Sequence, residues 1–412
     1  MADIKPYKIS VPDSELEDLK ARLKLTRFPD ELESAEWDMG SPLSDVKRLT
    51  KYWQEKYDWR AAEAELNQSL PHFVTPIQCD GFRPLQIHFI HIKSGVPGAV
   101  PLVFIHGWPG HFLEATKIVK LLTEKKGGDG PVFDIVVPSL PNFAFSEGTK
   151  ERGFALEQYA ETVNKLMLKL GYNEYVTQGG DWGAHISRAL AHLFPKTCKA
   201  TLLNYDSGSE PSFLKNPLVA LQHAIQPYTQ RERDGFRRSA WFNQEGRGYN
   251  VEQSTKPQTL GYGLADSPSA LLAWIYEKLH DWSDNYPWTD DEVCTWVSIY
   301  WFSTAGPAAS VRIYYETQHN VRNNPNKVGR DRLKEYSPGV KLGFSHFPQD
   351  LVVQPSSWQQ TLGDVVFDRC HEGGGHFAAF ERPMEIVQDL RDMFGKGGGA
   401  FTCVKGATGY SS

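Results

Sequence analysis

A mostly parallel β-sheet covered by helices on both faces is the fold this sequence predicts, with a helical arm in front and a helical lid inserted late. Three observations carry that expectation. Short apolar runs such as Leu102-Val-Phe-Ile105 and Ile135-Val-Val137 alternate with stretches of helical period, and strands buried on both faces read as continuous apolar runs. A glycine-flanked turn, Gly179-Gly-Asp-Trp-Gly183, joins a strand-like lead-in to a helical pattern. Over 206–334 the alternation degrades into helix-like pieces rich in Trp and Tyr and broken by Pro and Gly, which marks an insertion.

In chain order, residues 13–24 place Leu16, Leu19 and Leu23 at helical spacing behind Asp13-Ser14 as cap. Residues 44–57 repeat the pattern with Ser44 as cap. With the loop Thr26-Arg-Phe-Pro-Asp30 between them, residues 1–71 read as an arm too small for its own core. Period-two runs at 73–79 and 86–92, parted by Asp80-Gly81, read as a hairpin. Strands at 102–105, 134–138 and 174–180 and helices over 112–123, 154–170 and from 184 onward fill a first core segment, 72–205. The lid, 206–334, carries helices at 211–225, 268–281 and 289–304. Strands at 340–344 and 365–367 and a helix over 383–394 complete the core within 335–412, and the tail from Gly395 to Ser412 reads as loose.

The bulk numbers exclude several functions. A charge of −6 without long runs offers no basic stripe for nucleic acid or an anionic membrane. Five scattered cysteines with no CxxC pair point to reduced thiols. Charges in Met1–Lys8 speak against a secretory signal, and no apolar stretch approaches the ~18 residues of a membrane span. A cytoplasmic enzyme is the expectation.

In open α/β sheets, ligands bind beyond the carboxyl ends of the strands. Three loops there carry chemistry: His106-Gly-Trp-Pro-Gly110, the turn at Asp181, and Glu372-Gly-Gly-Gly-His376. The α/β-hydrolase order of nucleophile, acid and histidine is met by Asp181, Asp350 and His376. Asp181 could instead cap the following helix, and His376 could be a buried structural histidine. The coincidence of the glycine flanks, the strand lead-in and the downstream histidine favours catalysis. Asp364 and Asp368 lie nearer His376 in sequence and compete with Asp350, but Asp350 sits just past a strand, where the acid belongs.

These residues, together with Tyr57-Asp-Trp-Arg60, Ile87-His-Phe-Ile-His91, Pro138-Ser-Leu-Pro141 and Gly374-Gly-His-Phe377, give the chain a resemblance to the epoxide hydrolases of the α/β-hydrolase superfamily. It resembles the microsomal-type branch, and within that the soluble, fungal-like members, since the membrane anchor of the microsomal ones is not found. The resemblance implies Asp181 as nucleophile, His376 as base and Asp350 behind it. It adds two lid tyrosines on the epoxide oxygen, Tyr249 and Tyr314, with Tyr315 a one-residue alternative. Backbone N–H groups of Trp108 and Trp182 would form an oxyanion site, with His106, Gly107 and Pro109 shaping that wall. Two departures stand out. The family's Gly-Tyr-Gly is Asn142-Phe-Ala144 here, and His111 takes the place of a small residue, as a surface position of the next helix.

The chemistry suits the residues. A carboxylate, with a pKa near ~3.9, is ionised at neutral pH and displaces at saturated carbon, leaving an ester of itself. A phenol near ~10 stays protonated and donates to the opening oxygen. No metal or organic cofactor is needed. The expected partner is a small apolar or aryl epoxide; arm and lid offer surfaces for a homodimer. The closest rival is a haloalkane or haloacid dehalogenase, in which Trp or Asn donors in the lid would replace the tyrosine pair. Asp181 in place of serine argues against a carboxylesterase, and the intact acid–base set argues against an inactive receptor.

Overall fold

The computed structural model describes residues 3–125, 130–205, 208–323 and 327–411, and for 321–323 the backbone alone. Residues 206, 207 and 324–326 of the expected lid, Met1 and Ala2 of the expected arm, and Ser412 of the tail lie outside the described residues. The strands are β1 (Lys5–Pro6), β2 (His72–Ile77), β3 (Leu85–Ile92), β4 (Val100–Ile105), β5 (Phe133–Pro138), β6 (Tyr175–Gly179), β7 (Cys198–Leu203), β8 (Ser337–His346) and β9 (Gly363–Cys370). They form one sheet in the order β1-β2-β3-β5-β4-β6-β7-β8-β9. From β5 to β9 all neighbours run parallel, while β1, β2 and β3 add antiparallel pairs at one edge. This is the α/β-hydrolase fold. After β4 the chain crosses to β5 on one side and then returns to β6 on the other, so the crevice of an open α/β sheet opens between the ends of β4 and β6. Ile105 and Gly179 are paired there, which sets the turn at 179–183 beside the loop from His106.

The first two arm helices, Asp13–Lys24 and Leu43–Glu55, fall where the leucine spacing puts them. Their caps differ from expectation. Pro12 and Pro42 precede them, and neither Asp13, Ser14 nor Ser44 caps by its side chain; the Leu43 N–H donates to Glu31 Oε1 at 2.6 Å instead. A third helix, Trp59–Ser69, has a weak apolar stripe and escaped the sequence reading, although Asp58 caps it by accepting from Ala61 N. The arm lies on two helices of the insertion between β7 and β8, Pro268–Asp281 and Asp290–Trp301. Trp53 Nε1 donates to Ser298 Oγ at 3.0 Å, and the Trp37 and His280 rings stack at 3.5 Å.

That insertion also holds helices at Pro217–Ile225, Gln230–Trp241, Gly248–Thr255, Pro257–Asp266 and Arg312–Asn323. Its prolines, which read as breaks, open helices at their first turn in three places (217, 257 and 268), where a missing N–H loses no bond. The tail is packed rather than loose. Ala400 and Val404 are buried, and Gly409 bonds to Gly98 O at 2.8 Å and to Val132 N at 2.9 Å. His111 is buried rather than on the surface, its Nε2 3.2 Å from Trp296 O and its Nδ1 accepting from Leu113 N. Asn142 and Ala144 adopt φ of +73° and +46°, so this chain takes the left-handed turns without glycine. The Asn142 amide ties the loop down, donating to Tyr159 Oη and accepting from Thr149 N, while left-handed Ala144 costs about 1–2 kcal/mol. Among the described residues no helix is long and apolar enough to cross a membrane.

Candidate active site

Asp181 sits on the turn between β6 and the helix Asp181–Leu193, with φ of +48°. The left-handed backbone turns its carboxylate out over the crevice, and the turn packs tightly against the loop after β4. A Cβ on Gly183 would lie 1.8 Å from Ile105 O. On Gly107 it would lie 2.4 Å from Asp181 Oδ1. The two loops therefore meet at their glycines, and Trp108 N–H donates to Asp181 Oδ1 at 2.8 Å.

His376 follows the late glycine loop, its N–H donating to Trp282 O at 2.7 Å. Its Nδ1 lies 2.6 Å from Asp350 Oδ1 and its Nε2 3.5 Å from Asp181 Oδ2, so one imidazole links the two carboxylates. Asp350 also accepts from Leu351 N at 2.6 Å. Asp368 instead bonds His346 Nε2 at 2.6 Å, which leaves Asp350 as the partner of His376. Glu381 holds the loop from behind, accepting from Phe377 N at 3.0 Å and Asp284 N at 2.8 Å.

Burial alone would raise Asp181, but the facing His376 and the N–H groups of Trp108 and Trp182 hold it below the usual carboxylate range. Burial would likewise lower His376; the Asp350 and Asp181 carboxylates outweigh it and push the imidazole up to about 10. Asp181 is thereby held toward its carboxylate form and His376 toward imidazolium.

Over Asp181 stands an aromatic box. Trp108 stacks on Tyr249 at 5.3 Å, and Tyr314 meets Trp182 edge-on at 4.8 Å and Tyr249 at 5.9 Å. Asp181, Trp182, Tyr249 and Tyr314 line one cavity of about 220 Å³. Tyr314 Oη is buried with no hydrogen-bond partner among the described residues. Burial, with Asp181 nearby, raises both phenols well above 10. Tyr315 faces away and stacks on His319 at 3.9 Å, beside a larger cleft of about 1030 Å³ that touches none of these four residues. His106 stands behind its loop, accepting from Leu140 N at 3.1 Å and bonding Gly107 O at 2.9 Å, and Pro109 O accepts from Trp296 Nε1.

Three neighbours had no signal in the sequence: Trp282, whose ring lies 5.0 Å from both Tyr249 and His376; Glu114, pushed up to about 8 by burial beside Gly107 and Gly110; and Arg330, over Trp182. Trp282 and Arg330 acquire their places through packing across distant segments, and Glu114 through the fold of the Gly107–Gly110 loop onto it.

The arrangement combines a low-pKa carboxylate, a histidine–aspartate pair and two protonated phenols around one small cavity. Comparison with known proteins gives the family. Residues 4–115 match the model of the epoxide hydrolase N terminus, and residues 100–287 match that of the alpha/beta hydrolase fold. Epoxide hydrolase 1 of Sus scrofa is 34% identical over 416 residues, covering 95% of this chain and 88% of that one. The structure of Aspergillus niger epoxide hydrolase superposes with a TM-score of 0.79 at 35% identity over 94% of both chains. The juvenile hormone epoxide hydrolase of Bombyx mori gives 0.80 at 30% identity, over 94% of this chain and 93% of that one. This chain belongs to the epoxide hydrolase family of the α/β-hydrolase fold.

Proposed function

We propose that the enzyme opens epoxides through a covalent ester on Asp181 and releases vicinal diols. The observation that carries this reading is the His376 ring held between Asp350 at 2.6 Å and Asp181 at 3.5 Å, beneath two buried phenols. Asp181 Oδ1 is occupied by Trp108 N–H, so Oδ2 is the attacking oxygen. It forms a bond to one ring carbon as that carbon's bond to oxygen breaks. Tyr249 or Tyr314 delivers a proton to the leaving oxygen; with pKa values raised by burial, both are protonated donors at neutral pH.

Esterification removes the charge on Asp181. His376 then loses one of the two carboxylates that hold its proton, and its pKa falls. The first step thereby prepares the base for the second. Neutral His376, oriented by Asp350, takes a proton from water, and the hydroxide adds to the ester carbonyl carbon. The N–H groups of Trp108 and Trp182 hold the oxyanion that forms at Oδ1. The proton that His376 gives up before this attack passes to the phenolate left by ring opening. Collapse then breaks the ester C–O bond, and the leaving oxygen takes the proton of the added hydroxyl. The Asp181 carboxylate and the His376 imidazolium are restored with water as the one co-reactant. The aromatic walls suit an apolar or aryl body around the epoxide ring.

The test is mass spectrometry of His376→Gln with excess epoxide. A protein heavier by one epoxide is the expected result. An unchanged mass, under conditions where the unaltered enzyme turns over, removes the covalent mechanism.

A further inference from the structure

Two arginines border the cavity that holds Asp181, Tyr249 and Tyr314. Arg247 is exposed just before the Tyr249 helix, and Arg330 lies half-buried between the Tyr314 helix and β8. The Arg330 guanidinium covers the face of Trp182, 4.7 Å from its ring centroid. Trp182 directly follows Asp181, so this cation stands at the wall of the reacting centre.

Buried Arg188 and half-buried Arg238 are held by backbone carbonyls. Arg188 bonds Glu335 O at 2.7 Å and Leu333 O at 3.0 Å, and Arg238 bonds Asp281 O at 2.6 Å. Arg330 and Arg247 have neither a carboxylate nor a hydrogen-bond acceptor among the described residues. A guanidinium stacked on an indole keeps its in-plane N–H edge free, and that edge matches a carboxylate in two parallel bonds. Asp181 is the sole acid among the described residues lining the cavity, against two arginines. An anion in contact with Asp181 would be repelled; one that reaches the N–H edge of Arg330 across the Trp182 ring would meet a cation instead.

We propose that Arg330, with Arg247 at the outer edge, recognises a carboxylate on the substrate, so that the preferred epoxides carry an anionic group several atoms from the ring. This rests on the reading of Asp181 and the two tyrosines as the reacting site.

A matched pair tests it: a medium-chain terminal epoxy acid and its methyl ester, with styrene oxide as a neutral reference. The enzyme favours the acid in kcat/KM, and the preference shrinks as salt is raised. Arg330→Gln lowers kcat/KM for the acid about tenfold more than for the ester, chiefly through KM, as expected for loss of hydrogen bonds to a charged group. Arg247→Gln gives a smaller loss of the same sign, and Arg330→Lys recovers part of the preference. Equal losses on acid and ester overturn the proposal, because the cation would then act on the reaction and not on substrate charge. A wild-type preference for the ester overturns it as well, with no variant required. Turnover of styrene oxide without turnover of the acid sinks this inference alone, whereas styrene oxide opened with no covalent ester in His376→Gln removes the mechanism beneath it.

Discussion

Two buried imidazoles stand at the mouth of the same crevice and are driven in opposite directions. His106, on the loop after β4, is pushed down to about 4 by burial, with a backbone N–H and a carbonyl as its partners. His376, on the loop before the last helices, is pushed up to about 10 because Asp350 and Asp181 flank it. Burial works against the charged form in both. The carboxylate neighbours alone reverse its sign. A neutral ring bonded through both nitrogens is a brace for the Gly107–Gly110 loop. In the proposed mechanism, a charged ring between two carboxylates gives up its proton once one of them is neutralised.

The largest effect comes from removing that neutralisable partner. Asp181→Asn is expected to abolish diol formation, by at least about 10⁴-fold, because no other carboxylate among the described residues lines the cavity. It also lowers the pKa of His376, which an NMR titration of the ring reads directly. A ring that still titrates near its original value would show that Asp350 alone sets it, and the proposed switching of the base would be wrong. Tyr249→Phe and Tyr314→Phe come next. Each slows ester formation about 10²-fold, and the pair nearly stops it, read by the rate of mass gain in single turnover. Wild-type alkylation in the double variant would move the oxygen-binding role elsewhere.

The same two loops show how much the sequence could tell. The turn at 179–183 was legible because a strand, a tight turn and a helix place local demands on glycine, and Gly183 meets Ile105 O too closely for any side chain. His376 was legible from its glycine loop and chain order. Tyr249 and Tyr314 were not separable from the many other aromatic residues of the insertion except by resemblance. Only the winding of helix Arg312–Asn323 turns Tyr314 inward and Tyr315 outward. His111 was misjudged because helical spacing says nothing of what lies above a helix, and here Trp296 covers it. The tail was misread for a similar reason: Gly409 is held by Gly98 and Val132, more than two hundred and fifty residues away in the chain. Arg330 gave no signal, since its meaning depends on Trp182 beneath it.

The smallest expected effect separates the two histidines by stability rather than rate. His376 has a folded pKa of about 10 against ~6.5 in the unfolded chain, so its contribution is complete below pH ~6.5 and is lost as pH rises toward 10. His106 has a folded pKa of about 4, so the unfolded chain binds its proton first and stability falls as pH drops from ~6.5 toward 4. Urea unfolding across pH should therefore give a shallower alkaline limb for His376→Gln and a shallower acid limb for His106→Gln. His106→Gln should also lower stability at neutral pH by about 1–2 kcal/mol through its lost backbone bonds, and leave the pH profile of kcat unmoved. A shift in that profile would mean that His106 exchanges protons with the reacting groups, and the division between brace and base would fail. An unchanged alkaline limb in His376→Gln would mean that the ring does not carry its proton in the resting enzyme. The first step of the mechanism would then have no proton to release.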